Sequence, residues 1–215
     1  MNDKGIIFDL DGVICCTDQY HYQAWKKMAD RIGVYFDEDI NNRLRGVSRM
    51  ASLDIILERS DRRYSQEEKE ALAEEKNETY RQLLLQMTPE DLSDEVRDTL
   101  HTLRDKGLKL AIGSSSRNTK TILKQIGLGS FFDAVSDGTN ITRSKPDPQV
   151  FTMAAEMLNL QPEECLVVED APAGIEAACA GGFESAGIGE ASKYERTTHP
   201  IDTFSDLLWL MQSTP

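Results

Sequence analysis

The sequence is poor in basic residues relative to acidic ones, and it contains no long apolar run. Lys and Arg total 24 against 37 Asp and Glu, which gives a formal net charge of −13 over 215 residues. A surface of that sign repels nucleic acids and anionic membranes, so we expect neither as a partner. No apolar stretch is long enough to span a bilayer.

Cysteine is also scarce, and the four that occur are Cys15, Cys16, Cys165 and Cys179. Their spacing fits neither a zinc site nor a redox pair with two intervening residues. No signal-peptide pattern precedes the first predicted strand, so we expect a cytoplasmic protein with reduced thiols. The length suffices for one sizeable α/β core plus a smaller domain, and we expect a monomer.

The stretch that carries the most chemistry is Gly5–Val13. Its apolar run Ile6–Phe8 predicts a strand buried on both faces, as in the middle of a parallel sheet. Asp9 and Asp11 follow at once, where ligands gather beyond the carboxyl ends of such strands. The alternative interpretation is a strand end whose two acids only cap a turn.

Two neighbouring carboxylates repel each other, and one would be driven towards its neutral form. A hard cation such as Mg²⁺, which prefers oxygen ligands, would remove that difficulty. One acid could then attack a phosphorus atom and form an aspartyl-phosphate, while the other carries a proton to or from the reacting oxygen. Asp9 and Asp11 are therefore candidate catalytic residues.

The rest of the chain falls into two patterns. Residues 17–87 show helical periodicity without a strand signal, including a capping box at Ser65. Beyond Pro89, apolar strands alternate with helices, which predicts a parallel sheet. The predicted fold is therefore α/β, a doubly wound parallel-sheet (Rossmann-like) core of residues 1–16 and 88–215, with an all-helical cap domain of residues 17–87 inserted after the first strand.

Polar groups follow each strong strand. Ser114–Asn118 supplies hydroxyl and N–H groups that suit an anion, although a plain helix cap is the alternative. Lys145, held in a stiff loop by two prolines, could balance phosphate and aspartate charge, or it could be a solvated loop lysine. Glu169 and Asp170 could complete an oxygen shell for Mg²⁺, or they could act only on a helix N-terminus.

These motifs, in this order, resemble those of the haloacid dehalogenase superfamily of phosphotransferases. The resemblance rests on Asp9-Leu10-Asp11-Gly12-Val13, Ser114, Lys145 before a proline, and Glu169-Asp170. It covers nearly the whole chain and implies a doubly wound sheet with a mobile cap inserted after the first strand. Within the superfamily, three cap segments resemble the beta-phosphoglucomutase group: Tyr20–Trp25, Gly46–Arg49 and Glu75–Asn77.

That resemblance implies conversion of beta-glucose 1-phosphate to glucose 6-phosphate through beta-glucose 1,6-bisphosphate, with Mg²⁺. It implies Asp9 as nucleophile and Asp11 as general acid/base, with Arg49 on the distal phosphate. His21 and Lys76 would address the sugar and couple cap closure to acid/base alignment. The implied metal ligands are Asp9, Asp11 through its backbone carbonyl, and Asp170, with Glu169 close by. The implied substrate-binding residues are His21, Trp25, Gly46, Val47, Ser48, Arg49, Lys76, Ser114, Ser115, Ser116, Arg117, Asn118 and Lys145.

Other functions remain open from the residues alone. A sugar-phosphate phosphatase would use the same core residues, and a catalytically silent binding protein could keep the fold. A mutase must bind a bisphosphate in two orientations and therefore needs two anion sites, whereas a phosphatase needs one. In the cap, His21, Arg49 and Lys76 could be ordinary helix residues, and the apolar stripe around Trp25 favours core packing over a sugar contact.

Overall fold

The computed structural model describes residues 4–44 and 48–211. The chain forms two compact units. One comprises Met1–Cys16 and Thr88–Pro215 and is called the sheet unit here; the other, Thr17–Met87, is called the helical unit. The borders of these two units lie at the same residues as the borders of the predicted core and cap. The functional roles of the core and the cap stay predictions.

Within the described residues, six parallel strands form one sheet in the order β3-β2-β1-β4-β5-β6. The strands are β1 Gly5–Phe8, β2 Lys109–Gly113, β3 Ala134–Ser136, β4 Cys165–Glu169, β5 Glu184–Gly187 and β6 His199–Pro200. β1 therefore lies between β2 and β4, where the strand order changes direction. The doubly wound parallel sheet predicted from the alternating pattern is confirmed.

Helices α5 to α9 belong to this unit. They are α5 Asp94–Asp105, α6 Thr119–Gln125, α7 Gln149–Leu158, α8 Pro172–Gly181 and α9 Asp206–Leu210. Short 3-10 turns lie at Pro89–Asp91, Pro162–Glu164 and Ala191–Lys193. The short strand β6 was not predicted, because its two residues include a proline and carry no strand pattern of their own.

The apolar run of β1 is fully buried, as a central strand requires. Ile7 packs on one face against Phe151 of α7, in a cluster that also includes Val167 of β4. Phe8 points to the other face, where its ring stacks on that of Phe204 at 5.6 Å. Burial of each such side chain contributes roughly 1.5–3 kcal/mol, so the strand that precedes Asp9 is held firmly on both sides.

The helical unit consists of four helices in its described part: α1 Asp18–Arg31, α2 Glu38–Asn42, α3 Arg49–Leu57 and α4 Gln66–Leu84. Ser65 and Glu68 form the predicted capping box at the start of α4. Ser48 caps α3, since its hydroxyl accepts the Ala51 N–H at 3.3 Å. The start of α4 was predicted from the sequence and is confirmed.

The helical unit has its own core, built from the apolar faces of these helices. Trp25 and Met28 of α1 pack there with Leu53 and Ile56 of α3 and Leu72 of α4. At the surface, the guanidinium of Arg31 donates to both carboxylate oxygens of Glu75 at 2.6 Å, which ties α1 to α4. Across residues 4–44 and 48–211, no helix is both long and apolar enough to cross a bilayer.

Candidate active site

Asp9 lies directly beyond β1, at the point where the strand order of the sheet reverses. Its N–H donates to the Val168 carbonyl of β4 at 2.9 Å, so the neighbouring strand fixes its backbone. The side chain is buried, with 8% of the residue exposed. Parallel strands end at one edge of a sheet, and a crevice at such a reversal is the usual ligand site.

Lys145 joins Asp9 to Glu169. Its ammonium forms ion pairs with Asp9 Oδ1 and with Glu169 Oε1, the second at 2.5 Å. All three side chains are buried, and none has more than 11% of its surface exposed. Burial alone would lower the pKa of Lys145, but Asp9 and Glu169 outweigh that effect, and its pKa lies above its ordinary value. Lys145 is therefore a fixed positive charge in contact with the candidate nucleophile.

Glu169 is held in place from two sides. One carboxylate oxygen accepts from Lys145, and the other accepts the Ala171 N–H at 2.9 Å, just before α8. Gly174 in the first turn of α8 makes room for this group, because a Cβ there would overlap the Glu169 carboxyl. Both oxygens of Glu169 thus serve to orient Lys145 and the loop into α8.

Asp170 approaches the loop that follows β1. Gly12 has φ +85°, and a Cβ at this position would collide with the Asp170 carboxylate. Burial raises the pKa of Asp170, and the neighbouring charges of Glu169, Asp9 and Asp11 raise it further. Burial also raises the pKa of Asp9, against the opposing effect of Lys145. These carboxylates therefore lie in a setting that favours an added positive charge.

The predicted metal ligands do not all converge as side chains. In the part of the chain that the structure describes, no three His, Cys, Asp or Glu side chains form a group that could hold a metal ion. Glu169 is committed to Lys145 and Ala171, which leaves the buried Asp9 and the half-buried Asp170 as the side chains predicted to hold a metal. Such a set still fits Mg²⁺, which commonly takes one or two carboxylates and keeps several waters.

The Ser114–Asn118 loop follows β2, the strand paired with β1 on the side away from β4. The Ser114 hydroxyl accepts the Ser116 N–H at 3.2 Å, and the Ser116 hydroxyl accepts the Asn118 N–H at 3.1 Å. Accepting these bonds leaves each hydroxyl hydrogen able to donate to an anion. The register of β1 and β2 brings this loop to the same edge of the sheet as Asp9.

Arg117 contacts the protein rather than projecting from the loop. Its Nε donates to the Gly138 carbonyl at 3.1 Å. The side chain thereby links the Ser114–Asn118 loop to the turn that follows β3. Its predicted contact with substrate stays a prediction.

In the helical unit, the predicted residues His21 and Lys76 lie together. His21 Nδ1 is 2.8 Å from Lys76 Nζ, and the imidazole stacks on the Tyr80 ring at 4.0 Å. The Lys76 ammonium lies 4.7 Å from the centre of the Trp25 ring and 4.6 Å from that of Tyr80. Burial lowers the pKa of His21 well below 6.5, and the charges of Lys76 and Arg49 lower it further. A neutral His21 can accept from the Lys76 ammonium through Nδ1.

The other predicted cap residues have mixed outcomes. Arg49 begins α3, and its Nη1 lies 3.6 Å from Glu74 Oε2. Trp25 belongs to the core of the helical unit with only 3% of its surface exposed, which leaves little area for a sugar contact. Gly46 and Val47 lie outside the described residues.

The sequence pattern of haloacid dehalogenase-like hydrolases matches residues 4–182 of the chain. The chain belongs to the haloacid dehalogenase-like hydrolase family. This membership confirms the resemblance inferred from the motifs at the strand ends.

Known members of the family are similar to this chain over most of its length. It is 41% identical over 189 residues to a beta-phosphoglucomutase from Bacillus subtilis, covering 87% of this chain and 84% of the relative. It is 34% identical over 187 residues to a fructose-1-phosphate phosphatase from Escherichia coli, covering 86% and 95%. The crystal structure of a beta-phosphoglucomutase from Clostridium difficile matches with a TM-score of 0.88 at 36% identity, over 98% of this chain and 96% of that chain.

In this family member, the sequence pattern predicted the charged residues of the sheet unit but did not indicate the small ones around them. Gly174 looks like an ordinary residue of an apolar helix, and its role in making room for Glu169 depends on how α8 packs beyond β4. Asp137, a fully buried acid after β3, was also missed. Its position after a predicted strand was the available signal.

Proposed function

We propose that the protein is a phosphomutase that interconverts beta-D-glucose 1-phosphate and D-glucose 6-phosphate. The reaction proceeds through beta-glucose 1,6-bisphosphate and an aspartyl-phosphate at Asp9. The observation that carries this proposal is the buried Asp9–Lys145–Glu169 cluster beside the Ser114 loop, in a chain 41% identical to a beta-phosphoglucomutase.

Asp9 acts as the nucleophile. Lys145 donates to Oδ1 of its carboxylate, and one carboxylate oxygen attacks the phosphorus. A bond forms between that oxygen and phosphorus while the bond from phosphorus to the leaving oxygen breaks. Lys145 and the Ser114 loop balance the charge of the phosphoryl group by ion pairing and hydrogen bonding.

Asp11 acts as the general acid and base. In one half-reaction it takes the proton from the 6-hydroxyl of beta-glucose 1-phosphate as that oxygen attacks the aspartyl-phosphate, which gives the bisphosphate. The bisphosphate then binds in the opposite orientation. Its 1-phosphate passes to Asp9, Asp11 returns the proton to the oxygen at C1, and glucose 6-phosphate is released.

Mg²⁺ is the proposed cofactor. The carboxylates of Asp9 and Asp170 and the backbone carbonyl of Asp11 would hold it. When bound, it supplies positive charge that stabilises the transferring phosphoryl group. The raised pKa values of Asp9 and Asp170, which neighbouring carboxylates help to cause, support a cation at this point.

We also propose that the enzyme is a cytoplasmic monomer that acts on sugar phosphates and binds neither nucleic acid nor membrane. The formal charge of −13 supports the last two points, because polyanions repel such a surface. Charged sugar phosphates do not partition into a bilayer, so an enzyme that acts on them must lie in the same compartment as its substrates.

A sugar-phosphate phosphatase is the second candidate, because the chain is 34% identical to a fructose-1-phosphate phosphatase. The two functions share the Asp9 chemistry and differ in what removes the phosphoryl group from Asp9. A sugar hydroxyl does so in a mutase, whereas water does so in a phosphatase.

A coupled assay separates the two functions. Purified protein receives beta-glucose 1-phosphate, Mg²⁺ and a trace of glucose 1,6-bisphosphate, and both glucose 6-phosphate and free phosphate are followed. We expect glucose 6-phosphate with little phosphate, and no product from the alpha anomer as the matched control. Phosphate release without isomerisation would contradict the mutase and establish the phosphatase.

A further inference from the structure

The turn of residues 136–140, at the end of β3, exchanges backbone hydrogen bonds with the Ser114 loop in both directions. The Ser114 N–H donates to the Ser136 carbonyl at 3.0 Å, and the Gly138 N–H donates to the Ser116 carbonyl at 3.0 Å. Arg117 adds a third bond, from its Nε to the Gly138 carbonyl at 3.1 Å. The course of the backbone at Ser114–Ser116 therefore depends on the conformation of the 136–140 turn.

Asp137 organises that turn. Its Oδ1 accepts both the N–H of Thr139, at 2.8 Å, and the hydroxyl of the same residue. Its own N–H donates to Asn140 Oδ1 at 2.9 Å, and its carbonyl accepts the Asn140 N–H at 3.0 Å. A side chain that bonds the backbone two residues ahead fixes a tight turn.

The turn and the Ser114 loop approach each other closely at Gly138. A Cβ at Gly138 would lie 2.5 Å from the Ser115 carbonyl oxygen and 2.9 Å from the Arg117 nitrogen. Gly138 does not have a positive φ, so space rather than backbone conformation excludes a side chain there. The turn and the Ser114 loop are thus packed backbone against backbone.

The burial of Asp137 sets it apart from an ordinary surface turn residue. Both Ser136 and Asp137 are fully buried. Among the residues that the structure describes, Asp137 Oδ2 and Ser136 Oγ have no hydrogen-bond partner. Burial of polar atoms without protein partners destabilises a fold, so the presence of an acid at this position requires an explanation.

We propose that Asp137 is a positioning residue for phosphoryl transfer. Through the 136–140 turn it fixes the course of the Ser114–Ser116 backbone and thereby the hydroxyl donors of Ser114 and Ser116, which bind the transferring phosphate. Asp137 itself does not touch the substrate. This inference rests on the proposed phosphate site at Asp9 and Lys145, but it holds equally for a mutase and a phosphatase.

The test is direct binding of inorganic phosphate, by calorimetric titration in the presence of Mg²⁺, to the full chain. The variants are Asp137→Ala, which removes the acceptor of the Thr139 bonds, and Gly138→Ala, which pushes on Ser115 without changing Asp137. Gly129→Ala is the control, because its Cβ would meet nothing closer than Lys124 Cα at 3.4 Å. Asp137→Asn keeps the Oδ1 acceptor and is the conservative rescue.

We expect both Asp137→Ala and Gly138→Ala to weaken phosphate binding about tenfold, with an equal rise in the KM for the sugar phosphate. Gly129→Ala should bind as the unaltered protein does, and Asp137→Asn should recover most of the affinity. A purely structural role would lower the amount of active enzyme and leave Kd and KM unchanged.

Three results would overturn the inference. They are unchanged phosphate affinity in Gly138→Ala, equal losses in the Ala and Asn variants of Asp137, and absence of phosphate binding to the unaltered protein. A different result would overturn the mutase function and leave the role of Asp137 intact. In that case the coupled assay fails to form glucose 6-phosphate, while the variants still weaken phosphate binding as expected.

Discussion

The three charged side chains at the centre of the sheet unit depend on one another. Lys145 is the cation in contact with Asp9, and Glu169 shares it. Because these groups are buried, the desolvation of each charge is offset only while its partners remain. The same contacts that stabilise Lys145 therefore also position it for the proposed chemistry.

Removal of this lysine alone should destabilise the protein more than removal of the lysine together with the charge of Glu169. In Lys145→Met, two buried carboxylates lose their cation, and we expect the free energy of unfolding to fall by roughly 3–5 kcal/mol. The double variant Lys145→Met/Glu169→Gln should recover part of that loss. Denaturant unfolding without divalent cations measures the free energy of unfolding of both variants. A double variant that is less stable than the single variant would contradict this expectation.

His21 should make the stability of the protein depend on pH. Its pKa in the folded protein lies well below the 6.5 of an ordinary histidine, through burial and the charges of Lys76 on α4 and Arg49 on α3. The unfolded chain therefore binds the proton more tightly. Stability is present above about pH 6.5 and is lost as the pH falls from there towards the folded-state pKa.

Replacement of His21 should reduce that loss. In His21→Gln the amide oxygen can still accept from Lys76, but the side chain does not titrate. We expect the midpoint of thermal unfolding to fall less between about pH 7 and pH 5 than in the unaltered protein. Substitution of the exposed His101 by Gln is the control, and the same pH dependence in both variants would show that His21 is not the cause.

At the scale of the elements, the loops beyond β1 and β4 approach each other only because glycines leave room. Gly12 allows the Asp170 carboxylate to lie against the turn after Asp9, and Gly174 does the same for Glu169 at the start of α8. The acidic residues lie at the edge of the sheet where the strands end. The absence of a Cβ at the two glycines leaves space for the carboxylates to lie close to one another. The proposed Mg²⁺ site depends on this packing.

Gly12→Ala tests that dependence. We expect the Mg²⁺ concentration for half-maximal activity to rise about tenfold or more, since displaced metal ligands cost roughly 10–100-fold in affinity. Gly107→Ala is a matched control in the same unit, because Gly107 has φ +83° and a Cβ there would meet nothing within 4 Å. If both variants lose Mg²⁺ affinity equally, backbone strain rather than contact with Asp170 is responsible.

The elements themselves were largely predictable. The apolar run Ile6–Phe8 and the capping box at Ser65 are local signals, so β1 and α4 followed from them directly. The bounds of β3, Ala134–Ser136, were less predictable, because pairing with β2 decides which residues of that stretch form the ladder. β6 exists only through its pairing with β5, which no local pattern reveals.

At the scale of the whole molecule, the two compact units carry different parts of the proposed reaction. The sheet unit holds Asp9, Lys145 and the Ser114 loop, and the helical unit holds His21, Lys76 and Arg49. With a net charge of −13, the protein as a whole repels an anionic sugar phosphate. Binding must therefore rely on a few cations, of which Arg49 is the one predicted for the second phosphate.

Arg49→Ala should impair transfer of the phosphoryl group to the sugar without impairing the reaction of Asp9 with a phosphate ester or anhydride. We expect mutase turnover of beta-glucose 1-phosphate to fall about tenfold to a hundredfold, the effect of losing a charge-assisted hydrogen bond. Hydrolysis of acetyl phosphate, which has a single phosphate, should stay unchanged. Arg43→Ala is the control, since that arginine pairs with Glu58 at the surface. Equal mutase turnover in Arg49→Ala would remove Arg49 from the proposed site.

The sequence by itself determined the fold class, and it predicted the two-unit organisation and the charged residues of the candidate site. These follow from local hydrophobic periodicity and from chemistry placed at predicted strand ends, and both are readable along the chain. Only the tertiary structure decided that Lys145 bonds Asp9 and Glu169 together, that Gly174 makes room, and that Asp137 supports the Ser114 loop. Those facts depend on distances between residues far apart in sequence, which are set by strand order and side-chain packing.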